Sequence, residues 1–398
     1  MKVAVVTDLH FVEDRAANSF TPVMYGYSFF QRYHNVFEEV YVVARGRKVD
    51  QADQNTLQIN GEGVKTWMLP ETQGIKQYAM KYRAIRKAMT DIIRQCDTVI
   101  IRIPSALSTM AVSIAKKLHK KFALEVVADP YSVKPGKSLP DRVLSSYLVK
   151  QCKNACMEAN GVAYVTKHFL QTICPCKCIV MGHETEEYFT GNYSSITLPE
   201  AYFAEPKTYV GKKSFVISHT ANLIQNEAKG HGVVIQTVAK LRALGYDVSA
   251  VFIGDGTAVE HFKEMAASLG IAEHIHFVGK FANPMLVREQ LLASDIYLFP
   301  SESEGLPRGV IEAMACGLVA IASNVSGIPE LLEEEDMKEP HDVDGFVKRI
   351  RELIDHPEQM EDRSVRNIGV ARLYSNENLT KNRNAFYGKL RMLVTKAQ

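Results

Sequence analysis

The stretch Phe299-Pro300-Ser301-Glu302-Ser303-Glu304-Gly305-Leu306-Pro307-Arg308-Gly309-Val310-Ile311-Glu312-Ala313-Met314-Ala315-Cys316-Gly317 sets two carboxylates, Glu304 and Glu312, eight residues apart. On one continuous helix that spacing would leave them about 80° out of phase, from ~100° per residue. Pro307 resolves the geometry, because proline is favoured at the first helical position and resists the interior. Glu304 is therefore expected in the loop before a helix, and Glu312 in its second turn. Both then lie beside a helix N-terminus, whose free N–H groups attract anions. A ligand with hydroxyls at both ends and phosphate in the middle fits that layout, and a nucleotide sugar has it.

Outward from this junction, short apolar strands alternate with helical stretches, the pattern of a parallel sheet covered by helices. Strands are expected at residues 3–6, 40–43, 66–69, 98–101, 123–127, 162–165 and 179–181, and again at 215–218, 249–253, 275–278, 296–299 and 319–322. A chain of 398 residues is too long for one compact core and suggests two domains of roughly 150–200 residues each. Residues 190–213 are weakly periodic, with Gly191, Asn192, Pro199 and Pro206, and read as the linker. The fold class is thus α/β, with one doubly wound domain over residues 1–205 and another over 206–375. Such sheets take ligands at the carboxyl ends of their strands, so two in series would hold one in the cleft between them.

Composition narrows the class. A hydrophobic content of 46% is that of a soluble globular enzyme, and no apolar run approaches the roughly 18–20 residues that span a bilayer. The start, MKVAVVTDLHF, has no signal-peptide core. Seven cysteines with no even-spaced framework argue for a reduced cytoplasmic protein, and Cys174, Cys176 and Cys178 read as free thiols on a surface turn. Residues 76–121 hold eleven basic residues against Asp91 and Asp97. Ile75, Tyr78, Ala79, Tyr82, Ile85, Met89, Ile92 and Ile93 form a helical stripe there, with Lys76, Arg83, Lys87 and Arg94 away from it. This is either a solvated face or a docking surface for anionic lipid at the inner face of the plasma membrane. Nucleic acid is excluded as a partner, since aromatic interleaving is absent and the net charge is only +2.

Residues 301–317 resemble the E-x7-E signature of retaining glycosyltransferases with the GT-B fold, in particular glycosyltransferase family 4. Residues 322–331, Ala-Ser-Asn-Val-Ser-Gly-Ile-Pro-Glu-Leu, resemble that family's next loop, with Ser326 where the first of two glycines usually stands. The resemblance runs from about 214 to 330 and is only architectural over the N-terminal half. It implies two Rossmann-like domains facing a cleft, the first binding the acceptor and completed by a C-terminal helix at about 376–398. It also implies transfer of a sugar from a nucleoside diphosphate, UDP first among them, with no metal or other cofactor. The acceptor would be a sugar or lipid-linked hydroxyl of a growing surface polysaccharide or glycolipid.

The resemblance also assigns residues. Glu312 falls on the ribose-binding glutamate, and a carboxylate can accept two hydrogen bonds from a cis-diol. Glu304 falls beside the donor sugar and the charge developing at its anomeric carbon. Gly305 allows close backbone approach, and the amides around Leu306, Pro307 and Arg308 face the diphosphate and sugar. Pro307 removes one N–H, and Arg308 either meets a phosphate or is solvated. Lys229 matches the lysine that neutralises the departing diphosphate, whereas Asn222 stands where an arginine usually does. Lys280 and Phe281 are expected at the nucleobase. In the first domain Asp129 and His10 are the candidates for contact with sugar or acceptor; the plain alternative for Asp129 is a turn cap before Pro130.

Other motifs read as structural. Gly254-Asp255-Gly256 lacks the third glycine of a dinucleotide fingerprint and reads as a tight turn. Asp342 and Asp344 read as a helix cap, and His274 and His276 as structural residues on one strand face. Two rival functions stand beside transfer: a non-catalytic subunit that binds nucleotide or a partner, motivated by Asn222, and a sugar-nucleotide epimerase.

Overall fold

Strands form where short β-branched and aliphatic runs can be buried on both faces, as a parallel sheet between helices requires. The computed structural model of the chain describes residues 1–22, 25–53, 56–132, 139–281 and 283–397. It divides into two units, Met1–Tyr193 with Leu379–Gln398, and Ser194–Asn378. The first contains β1 (Lys2–Glu13), β2 (Ser19–Thr21), β3 (Glu39–Lys48), β4 (Leu57–Gln58), β5 (Val64–Pro70), β6 (Thr98–Ile103), β7 (Phe122–Val126), β8 (Gly161–Tyr164) and β9 (Phe189–Asn192). Its parallel strands run in the order β5-β3-β1-β6-β7-β8-β9, with β2 and β4 antiparallel beyond the end of β1. The helices are α1 (Tyr27–His34), α2 (Gly74–Gln95), α3 (Ala106–Lys117), α4 (Leu139–Glu158), α5 (Phe169–Ile173) and α6 (Lys177–Met181).

The second unit repeats the plan with β10 (Ser214–Leu223), β11 (Asp247–Asp255), β12 (Ile275–Phe277), β13 (Ile296–Phe299), β14 (Val319–Ser323) and β15 (Met337–Lys338). All are parallel, in the order β12-β11-β10-β13-β14-β15. Around them lie α7 (His231–Ala243), α8 (Val259–Ser268), α9 (Pro284–Leu292), α10 (Arg308–Ala315), α11 (Val343–Asp355) and α12 (Pro357–Arg372), and α13 (Asn376–Ala397) then returns to the first unit. In each sheet the strand order reverses beside the first strand, between β1 and β6 and between β10 and β13. Doubly wound sheets bind ligands outside the strand ends at such a switch point.

A buried carboxylate fastens α13 to the first sheet. Glu125 on β7 accepts from Arg102 on β6 at 2.6 Å and from Tyr33 on α1 at 2.8 Å. Its other oxygen accepts from Tyr387 on α13 at 2.6 Å and from Tyr193 at 3.1 Å. Burial pushes this carboxyl up, but the Arg102 guanidinium and the phenol hydroxyls outweigh it and hold the group below its usual range. Every oxygen lone pair that burial strips of water is thus re-supplied by a donor.

The structure corrects several expectations. Residues 179–181 are the last turn of α6, ended by Gly182 at φ 78, and not a strand. Val180 is largely exposed there, and the strand in this region is β9. Thr190–Asn192 consequently belong to a sheet and not to a linker. The unit boundaries fall after residues 193 and 378, where 205 and 375 were expected, because residues 194–205 pack on the second unit. There Ala204 N–H donates to the Ala315 carbonyl at 3.0 Å, and Leu198 N–H to Asn376 Oδ1 at 2.7 Å. Cys174, Cys176 and Cys178 are buried, since Tyr164 Oη donates to the Cys174 carbonyl at 2.7 Å and draws that turn inward. His274 lies in a 3-10 turn and only His276 is on β12, exposed, so the two share no strand face. Asp342 does cap α11, accepting from Gly345 N–H at 2.9 Å.

Replacing Glu125 with alanine leaves Arg102 buried without its carboxylate, which should destabilise the first unit by about 3–5 kcal/mol. Tyr387→Phe, which removes one hydrogen bond to a charged group, should cost about 1.5–3 kcal/mol. Urea unfolding followed by circular dichroism measures both, and a Glu125→Ala midpoint equal to the parent's would contradict the assignment.

Candidate functional site

The sequence-derived residues of the second unit gather at the switch point between β10 and β13. The loop after β10 runs through a 3-10 turn, Glu227–Lys229, capped by Asn226 Oδ1 on the Ala228 N–H at 3.0 Å. Gly230 follows at φ 80, a left-handed conformation that suits glycine. A Cβ there would also stand 2.4 Å from the Pro300 carbonyl oxygen, so the absent side chain lets this loop meet the one after β13. Two bonds to the Ala228 carbonyl join them, from Glu302 N–H at 3.0 Å and from Ser301 Oγ at 3.3 Å.

This junction brings Lys229 and Glu304 together. Lys229 Nζ pairs with Glu304 Oε1, which also accepts from Ser301 Oγ at 2.8 Å. Ser326 holds the Glu304 backbone, its Oγ accepting the Glu304 N–H at 3.1 Å, and Gly327 N–H donates to the Gly305 carbonyl at 3.0 Å. Ser326 adopts φ 54, the conformation that the glycine of the related motif would adopt freely. The serine therefore keeps the turn and adds a hydrogen bond.

Helix α10 begins at Arg308, with Pro307 as its N-cap, one position before the first helical residue where it was expected. Leu306 is buried and anchors the loop beside the half-buried Gly305. Gly309 allows the helix to lie against the Tyr297–Thr220 hydroxyl pair, 2.6 Å apart, where a Cβ would stand 2.4 Å from Tyr297 Oη. Glu312 lies in the second turn, as its spacing implies. Its half-buried carboxylate makes no hydrogen bond among the described residues. Burial raises its pKa to about 6, with Arg308 pulling the other way. A carboxylate held part-way out of water without donors is ready to accept them from a ligand.

The remaining candidates are dispersed. Asn222 is exposed at the end of β10. Lys280 is exposed and Phe281 half-buried after Gly279, whose carbonyl accepts from Gly254 N–H at 2.9 Å. In the first unit β1 runs on to Glu13, with a register irregularity between Val6 and His10 at the β1–β6 switch point. His10 is therefore within the strand, not just after it, and its Nδ1 lies 2.6 Å from Glu71 Oε1. Asp129 is buried and its Oδ1 accepts from Tyr131 N–H at 2.9 Å, the geometry of a turn cap; burial raises its pKa.

Sequence reasoning missed the support beneath the loops. His219 on β10 and His231 at the start of α7 are fully buried, with rings 4.6 Å apart among Phe252, Phe262 and Phe299. His219 Nδ1 meets the Leu298 carbonyl at 2.8 Å, while neither ring nitrogen of His231 has a hydrogen-bond partner among the described residues. Burial lowers the two pKa values to about 4 and about 2. The sequence signal was a histidine at an apolar position in each element. Among the described residues one acidic group, Glu333, Glu335 and Asp336, could approach a cation, but Arg349 and Arg363 pair with Asp336 at 2.8 and 2.7 Å.

Residues 206–368, which contain this whole arrangement, match the family model of Glycosyl transferases group 1. The match spans most of the second unit. This glycosyltransferase is 27% identical over 371 residues to Protein CapJ of Staphylococcus aureus, covering 93% of this chain and 91% of the relative. It is 34% identical over 140 residues to N-acetyl-alpha-D-glucosaminyl L-malate synthase of Bacillus anthracis, 34% of this chain and 35% of that one. Among solved structures its fold resembles Anabaena HepE in complex with UDP-glucose, with a TM-score of 0.69 at 14% identity over 98% of this chain and 99% of that one. Sucrose-phosphate synthase from Thermosynechococcus elongatus gives 0.72 at 13% identity over the whole of both chains. Both likenesses establish the fold, GT-B with two Rossmann-like domains. No helix among the described residues is long and apolar enough to cross a membrane.

The buried histidines of the glycosyltransferase give it a defined acid sensitivity. Their folded pKa values lie below the unfolded value of about 6.5, so their contribution is fully present above pH ~6.5. It is lost as pH falls toward 4, at about 1.4 kcal/mol per pH unit for each histidine. His231→Phe, which keeps an aromatic ring in the cluster, should flatten the decline in urea midpoint between pH 6.5 and pH 4.5 by roughly half of the histidine contribution. An unchanged slope would show that these rings do not titrate in this range.

Proposed function

We propose that the chain transfers a sugar from a UDP-sugar to a hydroxyl acceptor with retention at the anomeric carbon, in the assembly of a surface polysaccharide or glycolipid. The observation that carries this reading is the pairing of two unlike carboxylates around one helix N-terminus. Glu312 is half-buried and unbonded, suited to ribose hydroxyls, while Glu304 is held by Ser301 and Ser326 beside a cation. Lys229 would exchange its pairing with Glu304 for the diphosphate of the donor. As the bond to the anomeric carbon breaks, the charge that accumulates on the leaving phosphate meets Lys229 and the free amides at the start of α10. The acceptor hydroxyl attacks from the same face and passes its proton to the leaving phosphate oxygen, so no separate protein base is required. Lys280 and Phe281 would flank the nucleobase, and no metal takes part. Relatives whose descriptions name UDP and UDP-glucose as ligands support the choice of donor.

The first unit would then take the acceptor, with His10 on β1 and Asp129 in the loop after β7 as the groups that meet it. Its helix α2 supports a location on the cytoplasmic side of a membrane carrying anionic lipid. Ile85, Met89, Ile92 and Ile93 bury the second half of the apolar stripe, but Ile75 and Tyr82 in its first half and Met80 outside it remain 64%, 42% and 77% exposed. Lys76, Lys81, Arg83 and Lys87 surround them. Apolar side chains among basic ones at an exposed helix fit a headgroup surface. The rival reading, a non-catalytic subunit, is favoured by Asn222 in place of a second cation.

Glu312→Ala should weaken UDP binding by about 1.5–3 kcal/mol, the value of hydrogen bonds to a charged group, as read by calorimetry. In the parent, affinity should also decline as pH falls through about 6 and this carboxylate protonates. Equal affinity in parent and variant would overturn the ribose assignment. Lys229→Ala should lower kcat by roughly 10²–10³ in a donor-by-acceptor screen with mass detection. A parent that binds UDP yet neither hydrolyses nor transfers across that screen would select the rival. In a third assay, Ile75→Asp/Met80→Asp should abolish sedimentation with phosphatidylglycerol vesicles, and retained sedimentation would exclude α2 as the docking face.

A further inference from the structure

Five of the seven cysteines converge in the first unit outside the proposed site. Cys152 and Cys156 are four residues apart on α4, and Cys174, Cys176 and Cys178 occupy the turn from α5 into α6. All are free and buried. Four of them face one another in pairs, Cys152 Sγ 3.9 Å from Cys174 Sγ and Cys176 Sγ 3.2 Å from Cys178 Sγ. Hydrogen bonds from Cys152 and Cys156 hold Cys174 well below the usual thiol range, whereas the sulfur interactions and burial raise Cys152 and Cys156. The first pair therefore sets a more acidic sulfur against a less acidic one, an asymmetry that sulfur exchange can use.

One of these cysteines also lines a crevice. Cys152, 5% exposed, lines a crevice of about 30 Å³ between α3 and α4, with Pro104, Ser108, Val112, Leu148 and Gln151. Cys174, at 0% exposure, is reached only through its partner. Packing alone explains a buried cysteine as a small apolar residue. It does not explain paired sulfurs in contact, one of them on a residue that lines a crevice.

We propose that Cys152 and Cys174 form a peroxide-responsive dithiol that closes to a disulfide between α4 and the α5–α6 turn. The oxidant is a small hydroperoxide, ROOH. The Cys152 sulfur attacks the near peroxide oxygen as deprotonated Cys174 takes its proton; the O–O bond breaks, and the departing alkoxide takes that proton from Cys174 and leaves as ROH. Cys174, again as thiolate, then attacks the Cys152 sulfenic sulfur; the S–S bond forms, the S–O bond breaks, and hydroxide leaves with a proton as water. Two thiols are oxidised by two electrons, and the peroxide is reduced to ROH and water.

The bond would fix two loops at the carboxyl ends of adjacent strands. Lys153, next to Cys152, donates to Tyr131 Oη at 2.9 Å in the loop after β7 that holds Asp129, and Cys174 follows the loop after β8. The crosslink itself does not rest on the proposed sugar transfer, so the two can fail separately.

The test exposes the full-length chain to a few equivalents of hydrogen peroxide, alkylates it under denaturing conditions and maps peptides by mass spectrometry. A linked pair of peptides carrying Cys152 and Cys174 is expected, reversed by dithiothreitol, with Cys96 and Cys316 still alkylated. In Cys174→Ser the reaction should stop at the first step, and dimedone should label Cys152. A Cys176–Cys178 bond in place of the expected one, separate sulfinic acids, or full alkylation of Cys152 after treatment would each overturn the proposal. If Cys174→Ser folds poorly, the crosslink in the parent, with its loss in Cys152→Ser, decides the question.

Discussion

The close approach of two loops at the β10–β13 switch point is the constraint on which the second unit's site depends. Adjacent parallel strands end at nearly the same height, and the loops that leave them must either diverge or fit together. Here they fit, because Gly230 presents no side chain to the Pro300 carbonyl and the Ala228 carbonyl receives two donors from the opposite loop. Lys229 and Glu304 are consequences of that fit. Neither residue would be placed by its own strand alone; each is set by the backbone of the other's loop.

Around this junction the two glutamates are treated in opposite ways. Glu304 is held at one carboxylate oxygen by Lys229 and Ser301 and at its backbone N–H by Ser326, so its position is defined before any ligand arrives. Glu312 sits on a rigid helix, but its carboxylate is given nothing to bond. One group is prepared by its contacts and the other by their absence. The first arrangement favours precision at a reacting centre; the second keeps an acceptor open whose desolvation has already been met by the packing of α10.

Much of this was legible in the sequence because it lay in local rules. Pro307 separates a loop glutamate from a helical one, and the apolar runs mark most strands. What the sequence concealed was set by contacts distant along the chain. Residues 179–181 have the composition of a strand, yet Gly182 ends a helical turn and β9 takes the sheet position instead. The thiols at 174, 176 and 178 look like a surface turn until Tyr164 draws them inward. Ser326 reads as a lost glycine, whereas its hydroxyl supplies a hydrogen bond that glycine cannot. His219 and His231 offered only a histidine at an apolar position in each element, and the buried pair is recognisable only when both elements are in place.

The tie between Glu125 and Tyr387 has a consequence for synthesis of the chain on the ribosome. The first unit begins the sequence, yet the hydroxyl that completes its buried carboxylate arrives after the entire second unit. Domains generally fold as they emerge, but this one must wait with Arg102 and Glu125 incompletely covered. The second unit, continuous from Ser194 to Asn378, can close as soon as it leaves the exit tunnel. The order of folding would then be the reverse of the order of translation, and the exposed sheet of the first unit would be the part that needs a chaperone's protection in the interval.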